Sequence, residues 1–530
     1  MTTLAAPALD RPQDEARITP SGLLRRRARQ TPDALALLDP PNRHALGPSA
    51  PRRLSYAETD AAVEALAAYF VQLGLASGDT VVVQLPNLIE APLAFLGAWR
   101  AGLTVAAVPM LWRGTEVARV CDMLEPAALI GISHYAGEHP AELLRGVAAT
   151  RLPVRFVMGF GPDLPDGVTP LDDAILDGAP SNFLARANSG PALVTFTARP
   201  GAPLVPLFRE DDDILLQGAM AVMALDLGRH DIVLNAYPLT GPAGIAAGLA
   251  PWLIGGTALV QHDPFDDCVL VQQILSTGAT VTALPGTVLD GLADDRVLGD
   301  DRCSLRHVGR VWSVPKLTDA AVAGAPEDRA TFDLYPLGDL ASLIVRVGDP
   351  SGRGTIPLGA LRIDDGGDAT EFLETALIGG TGNTAQDIFV RGPVIPRGRP
   401  NGPVARDSDG FVKTGLQGEA RDGHLAVSRD PELVYHGGFT LAASELDGLY
   451  QAFPDFLDAA CFVLPDPVVG DRIFAAVVPA PSAAVSLEAL HGFLAERSVA
   501  TFKFPDKLLV VPEIPRDGTT ILRDAILRQI

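Results

Sequence analysis

The run Phe196-Thr197-Ala198-Arg199-Pro200-Gly201-Ala202-Pro203-Leu204 has the spacing of a loop that cradles an anion, and the wrong residues for doing so. A phosphate cradle uses small residues whose backbone N–H groups converge on the anion, usually with a lysine beside them. Here two prolines interrupt the loop, and proline has no N–H to give. Arg199 stands inside the turn and Leu204 where a cation belongs. Thiol and metal chemistry are not suggested either. Cys121, Cys268, Cys303 and Cys461 are scattered, without a C-x-x-C pair or a His at ligand spacing, a pattern that suits a reducing compartment.

The elements that must position this loop come from a chain of 530 residues, 47% of them apolar, enough for about three or four compact units. An excess of 64 acidic over 42 basic side chains leaves a net charge of −22. Such a charge opposes attraction to nucleic-acid phosphates and anionic lipids, so neither partner is expected. The opening MTTLAAPALDRPQDEAR places acidic residues and prolines where a signal peptide keeps an apolar core. No later stretch approaches the roughly 20 apolar residues of a membrane span. The expectation is an unprocessed cytoplasmic chain.

Ser55-Tyr56-Ala57-Glu58 forms a capping box, and Val63, Leu66, Phe70 and Leu73 then recur at helical spacing before Gly74. A buried strand over Thr80–Leu85, an apolar helix from Glu90 and a strand near Leu103–Val108 predict a right-handed βαβ crossover in a parallel sheet. The alternation returns as strands near Ile232–Leu234, Thr257–Gln261 and Thr280–Ala283, with a helix over Ala243–Leu253. Gly, Pro and Asp dominate from Pro350 to Pro403, which predicts short strands and turns. Past Arg429 helices and strands mix over about a hundred residues. The fold class is therefore α/β: a large, multi-part body of parallel and mixed sheets with a β-rich portion (1–428), and a small C-terminal α+β lid (429–530).

Read in order, these pieces resemble the adenylate-forming (AMP-binding) superfamily: acyl-CoA synthetases, luciferase-like enzymes and peptide-synthetase adenylation domains. The resemblance rests most on Asp409-Gly410-Phe411-Val412-Lys413-Thr414-Gly415, Asp422-Gly423-His424-Leu425, Arg429, Gly437-Gly438 and Glu445. Pro238-Leu239 with Gly244, Leu305-Arg306, Pro465-Asp466, Gly470-Asp471, Lys503 with Pro505, and Pro515-Arg516 echo it. It implies ATP with magnesium and CoA as cofactors, and a carboxylic acid or acyl-CoA as small-molecule partner. A carboxylate attacks the α-phosphate of ATP, and a thiol then displaces AMP. By the same resemblance Thr197, Arg199, Gly201, Tyr335, Asp339, Thr414 and Arg429 are nucleotide-side candidates. Asp339 is the magnesium candidate, and Gly437 and Gly438 are thiol-side candidates on the lid.

Against the family pattern several positions have changed. Leu204 replaces the loop lysine, and leucine cannot donate a charge-assisted bond to phosphate. Two readings stand for Arg199, a substitute cation with a planar fork or a solvated loop arginine. In Tyr335-Pro336-Leu337-Gly338-Asp339 a glycine replaces the threonine that faces phosphate and an aspartate replaces the glutamate. Asp339 is either a shorter magnesium ligand or an exposed turn residue. Leu416 stands where an aspartate holds the ribose, which would leave hydroxyls unpaired at roughly 1–3 kcal/mol each. Thr520 stands where the catalytic lysine belongs, so no catalytic residue is assigned. Losing such a donor typically costs about 10²–10³ in rate. Gly241 replaces an aromatic or His position, and Trp312-Ser313-Val314-Pro315 replaces a glycine-rich segment over adenine, so that Trp312 either fills the nucleotide pocket or sits in the core. The expectation is a relative of AMP-forming acid–thiol ligases with adenylation weakened or lost. Two alternatives stand beside it: a non-catalytic acid- or partner-binding protein, and acyl transfer from a preformed activated acid.

Overall fold

Strand Thr80–Val83, helix Glu90–Arg100 and strand Thr104–Ala107 form the parallel crossover expected from their apolar runs, paired from Thr80↔Thr104 to Val83↔Ala107. In the computed structural model, which describes residues 18–46, 49–179, 183–188, 190–285, 288–289, 291–292, 297–312, 330–346, 356–363, 370–378, 386–396, 404–421, 423–428, 430–466, 469–481, 483 and 485–529, every residue of that helix is buried. An all-round apolar helix belongs between layers. Helix Tyr56–Gln72 beside it opens with the expected capping box, Glu58 N donating to Ser55 Oγ (3.2 Å) and Ser55 N to Glu58 Oε2 (2.7 Å).

Two sheets flank these helices. A seven-stranded sheet runs in the order 169–170, 156–160, 128–132, 80–83, 104–107, 193–199 and 202–209, parallel except for the last strand. An eight-stranded sheet runs 341–346, 330–337, 307–311, 281–285, 232–235, 258–261, 35–38 and 53–55, parallel in its middle and antiparallel at both edges. One cluster of buried side chains, from Leu24 to Tyr435, joins the two. The helix expected over Ala243–Leu253 is broken into helix Pro242–Gly244, a π-turn Ile245–Leu249 and helix Ala250–Gly255. Pro251 cannot donate to the ladder, and the preceding turn widens around that missing bond.

The Gly- and Pro-rich stretch contributes to a six-stranded antiparallel sheet, ordered 356–357, 424–428, 412–421, 386–391, 370–378 and 359–363. Beyond it lies a sheet of strands 439–442, 433–436, 470–479 and 456–466, with 508–510 added alongside. Helices Ala443–Gln451 and Leu487–Glu496 pack on one face around Tyr450, Leu490 and Leu494. Among the described residues no helix is long and apolar enough to cross a membrane.

This C-terminal sheet docks onto helix Gly114–Leu124. Thr115 Oγ1 donates to Arg497 O (2.6 Å) and Thr115 N to Ser498 O (3.1 Å). Lys503, only 4% exposed, gives one hydrogen bond to Glu116 Oε1 and one to Glu445 Oε1, both 2.9 Å, while Arg119 also pairs with Glu445. Charges taken this far out of water are held only by their partners. Lys503→Met is therefore expected to cost about 3–5 kcal/mol by stranding the buried Glu116 carboxylate, while Glu445 keeps Arg119, measured as a lowered denaturant midpoint and earlier proteolytic release of the C-terminal segment.

Candidate functional site

The carboxyl ends of parallel strands from both sheets open into one cavity of ≈ 400 Å³. Leu85 to Asn87 follow strand Thr80–Val83, Pro109 to Trp112 follow Thr104–Ala107, Ala236 to Gly244 follow Ile232–Asn235, and His262 and Asp263 follow Ala258–Gln261. Open α/β sheets place their ligands at this edge. Trp112, Phe196, Tyr135, Tyr237 and Phe265 give the wall an aromatic character, and Gly241 adds no side chain. Gly437, Gly438 and Phe439 close one side from the C-terminal sheet.

The loop with cradle spacing is a tight hairpin. Strands Leu193–Arg199 and Ala202–Arg209 pair up to Arg199↔Ala202, leaving only Pro200 and Gly201 in the turn. Gly201 has φ 71°; Pro followed by a positive-φ Gly are the central residues of a type II turn. Leu204 packs against the buried cluster around Trp112 and Val194, filling the lysine position with an apolar contact.

Arg199 is half-buried and bonded within the protein. Its Nη1 donates to Thr197 Oγ1 (3.0 Å) and Ala198 O (2.9 Å), and its Nη2 to Gly338 O (2.7 Å). Its fork is thus engaged by protein acceptors. A second arginine, Arg209, buried on the next strand, donates to Asp339 O (2.6 Å) and Leu340 O (2.7 Å).

Asp339 sits with Gly338 in the β-turn between strands Ala330–Leu337 and Ala341–Arg346, closed by Leu340 N donating to Leu337 O (3.1 Å). Both central residues have positive φ, 55° and 60°, the condition of a type I′ turn. The exposed-turn reading fails, because the aspartate is partly buried and accepts from Thr197 Oγ1 at 2.6 Å. Burial raises its carboxyl above the usual range, against the opposing pull of Thr197, Arg199, Arg209 and Thr440. Among the described residues no cluster of three or more His, Cys, Asp or Glu is placed to hold a metal.

Behind the turn lies a second hollow of only ≈ 50 Å³, lined by Arg199, Trp312, Tyr335, Gly338, Thr414 and Leu416 among others, and meeting the large cavity at Pro336, Asp339, Gly438 and Thr440. Trp312 stacks on Tyr335, centroids 6.3 Å apart and planes 10° from parallel. The Tyr335 hydroxyl donates to Asp333 Oδ2 (3.2 Å). Thr414 turns its hydroxyl inward, donating to Ile388 O (2.8 Å) and accepting from Leu416 N (3.0 Å). A Cβ at Gly338 would lie 1.9 Å from Thr414 O. The backbone of strand Val412–Arg421 thus occupies the space where the family's threonine side chain would stand. Small-molecule sites span about 300–1,000 Å³, and this hollow is smaller than that range.

Thr197, Arg199, Tyr335, Asp339, Thr414 and Gly438 are thus brought to one place, with Gly437 adjoining in the wall of the large cavity. Gly201 points away at the hairpin tip, and Thr520 is exposed on a two-stranded ribbon with Arg516–Asp517, lining neither hollow. Arg429, Asp422 and the stretch Ser313 to Pro315 lie outside the described residues. The sequence reading named Lys503 only as an echo of the family and missed the cavity's other charged groups Glu116, Arg119 and Asp263. Only the Asp263-Pro264 turn chemistry after a strand could have drawn attention to the last. Gly338→Ala is expected to cost at least about 2 kcal/mol, from the clash with Thr414 O and the positive φ together, read as a fall in thermal midpoint that Gly201→Ala, with open space around it, produces to a smaller extent.

The model of the family described as AMP-binding enzyme matches residues 24–169, a span that ends before the hairpin. A 2-hydroxy-7-methoxy-5-methyl-1-naphthoate–CoA ligase of Streptomyces carzinostaticus is 27% identical over 520 residues, covering 92% of this chain and 88% of that protein. A salicyl-AMP ligase / salicyl-S-ArCP synthetase of Mycobacterium tuberculosis is 28% identical over 546 residues, covering 95% and 89%. Among solved structures, an amide bond synthetase from Marinactinospora thermotolerans superposes with a TM-score of 0.77 at 20% identity, over 97% of this chain and 99% of that one. That last likeness concerns the fold. Residues 24–169 thus match the AMP-binding enzyme family model, and nearly the whole chain is similar to acid-activating ligases.

Proposed function

We propose that this protein binds a carboxylic acid, or its activated acyl form, in the ≈ 400 Å³ cavity, as a relative of AMP-forming acid–thiol ligases in which adenylation is weakened or lost. One observation carries the reading: Thr414 O lies 1.9 Å from where a Gly338 Cβ would stand, so the nucleotide side is closed to ≈ 50 Å³. Leu416 in the ribose position and the committed fork of Arg199 support it. The acid half of the reading draws on the intact, aromatic-walled cavity and on relatives whose names carry a naphthoate and a salicylate. Residues 429–530 are read as a lid on the body 1–428, held to it by the pairs Lys503–Glu116 and Glu445–Arg119. Purified protein is expected to give no carboxylate-dependent ATP–pyrophosphate exchange and no calorimetric heat with magnesium-ATP, while aromatic acids raise its thermal midpoint. Robust exchange with any acid would restore an ordinary ligase.

A second reading, acyl transfer from a preformed activated acid, is favoured by the turn Gly437-Gly438. Its two residues have φ 58° and 85° and stand in the cavity wall, where a thiol arm could approach backbone without side-chain obstruction. Supplied acyl-adenylate and CoA are expected to release AMP in a single turnover if this reading holds. Absence of AMP above the uncatalysed rate would leave binding alone.

A further inference from the structure

Asp263 is a carboxylate in the large cavity that the proposed reaction does not use. It follows strand Ala258–Gln261, accepts from Asn87 N (3.0 Å) through Oδ2 and from the Tyr135 hydroxyl (3.1 Å) through Oδ1, and lines the cavity with His262 and Phe265. Among the described residues no Lys, Arg or His hydrogen-bonds or ion-pairs with it. His262 is turned elsewhere, its Nδ1 set against Gln273 Oε1 at 2.6 Å and its Nε2 accepting from Asp266 N at 3.3 Å. Burial raises the Asp263 carboxyl to about 6. Asp263 is half-buried in an aromatic-walled cavity, where a carboxylate is normally paired, and each of its oxygens retains a lone pair beyond the single bond it accepts. The Tyr237 hydroxyl, on the same cavity wall, is also buried without a partner among the described residues.

The position of Asp263 matters as much as its charge. Asp339 and Asp263 each stand two residues past the end of a strand in the eight-stranded sheet. Those strands are separated by four intervals, roughly 19 Å at about 4.8 Å each. The cavity therefore has two polar ends. One carries Asp339, Thr197 and the Gly437-Gly438 turn; the other carries Asp263. Apolar and aromatic side chains, including Met110, Trp112 and Tyr237, line the walls.

We propose that Asp263 receives the protonated amine of an acid whose amine and carboxyl groups are separated by an apolar body, the carboxyl lying toward the Gly437-Gly438 turn. This rests on the reading of the cavity as an acid site and names the class of acid it takes. A charge-assisted bond to a carboxylate that already accepts two neutral donors adds selectivity without requiring any new side chain. An acid ending in a methyl group leaves Asp263 without a counter-charge.

The test uses full-length protein and matched ligands differing only at the far end: ω-amino-octanoate against nonanoate, and ω-amino-undecanoate against dodecanoate. Calorimetric titration is expected to show the amino acid of at least one pair binding about tenfold or more tightly than its methyl counterpart. Asp263→Asn, which keeps an acceptor of similar shape, is expected to erase that preference while leaving the methyl acids within about twofold. Equal affinities within both pairs on the unsubstituted protein would overturn the assignment and leave the acid site standing; this comparison needs no variant. A preference that survives in Asp263→Asn would overturn it as well. If neither the amino nor the methyl acids bind, this inference falls, while the acid-site reading is decided separately by the thermal midpoint with aromatic acids.

Discussion

The close approach of two backbones, the turn at Gly338 and strand Val412–Arg421 at Thr414, governs the centre of this protein. Only a residue without a Cβ tolerates a carbonyl oxygen at that distance. The contact brings the six-stranded sheet against the edge of the eight-stranded one and turns Asp339 back toward Thr197. Arg199 then lies over Gly415, where a Cβ would stand 3.0 Å from its Cδ. Its guanidinium satisfies the Gly338 carbonyl that the turn would otherwise leave unpaired. The residues of the hairpin, the turn and strand Val412–Arg421 are physically linked: Gly338 admits the strand, and Arg199 and Leu416 line the small hollow that remains.

On the other side of Asp339 the architecture is open. Parallel strands end together, their following loops diverge, and the cavity between them is closed by the C-terminal sheet. That sheet is held by a compact network in which Lys503 and Arg119 serve Glu445, and Lys503 also serves Glu116. Buried pairs of this kind specify geometry more than they add stability, since desolvation offsets most of their attraction. Their arrangement fixes which face of the C-terminal sheet meets the cavity, the Gly437-Gly438 turn, and leaves the ribbon carrying Thr520 outside it.

Much of the fold was legible because local chemistry and tertiary packing agree. The capping box at Ser55, the apolar helix from Glu90 and the strands near Val81, Leu234, Leu259 and Thr282 all form where their periodicity puts them. The helix over Ala243–Leu253 is interrupted because the position of Pro251 mattered more than the apolar pattern around it. Arg199 was legible as unusual but not in its role, because a guanidinium can serve solvent, phosphate or carbonyl oxygens equally well. Lys503 was legible only as part of the resemblance, and its partners were not, since they lie 387 and 58 residues away.

Sequence by itself determined the α/β architecture, the family likeness and the identities of the altered positions, because each depends on residue types at short spacing. Tertiary structure alone decided that Leu204 packs, that Arg199 is spent on Gly338, and that Thr414 fills the space beside the turn. It also decided that Asp263 lines the cavity with no Lys, Arg or His among the described residues paired to it. These depend on which distant segments meet, and a packed interior settles that by excluded volume and by the requirement that buried polar groups find partners.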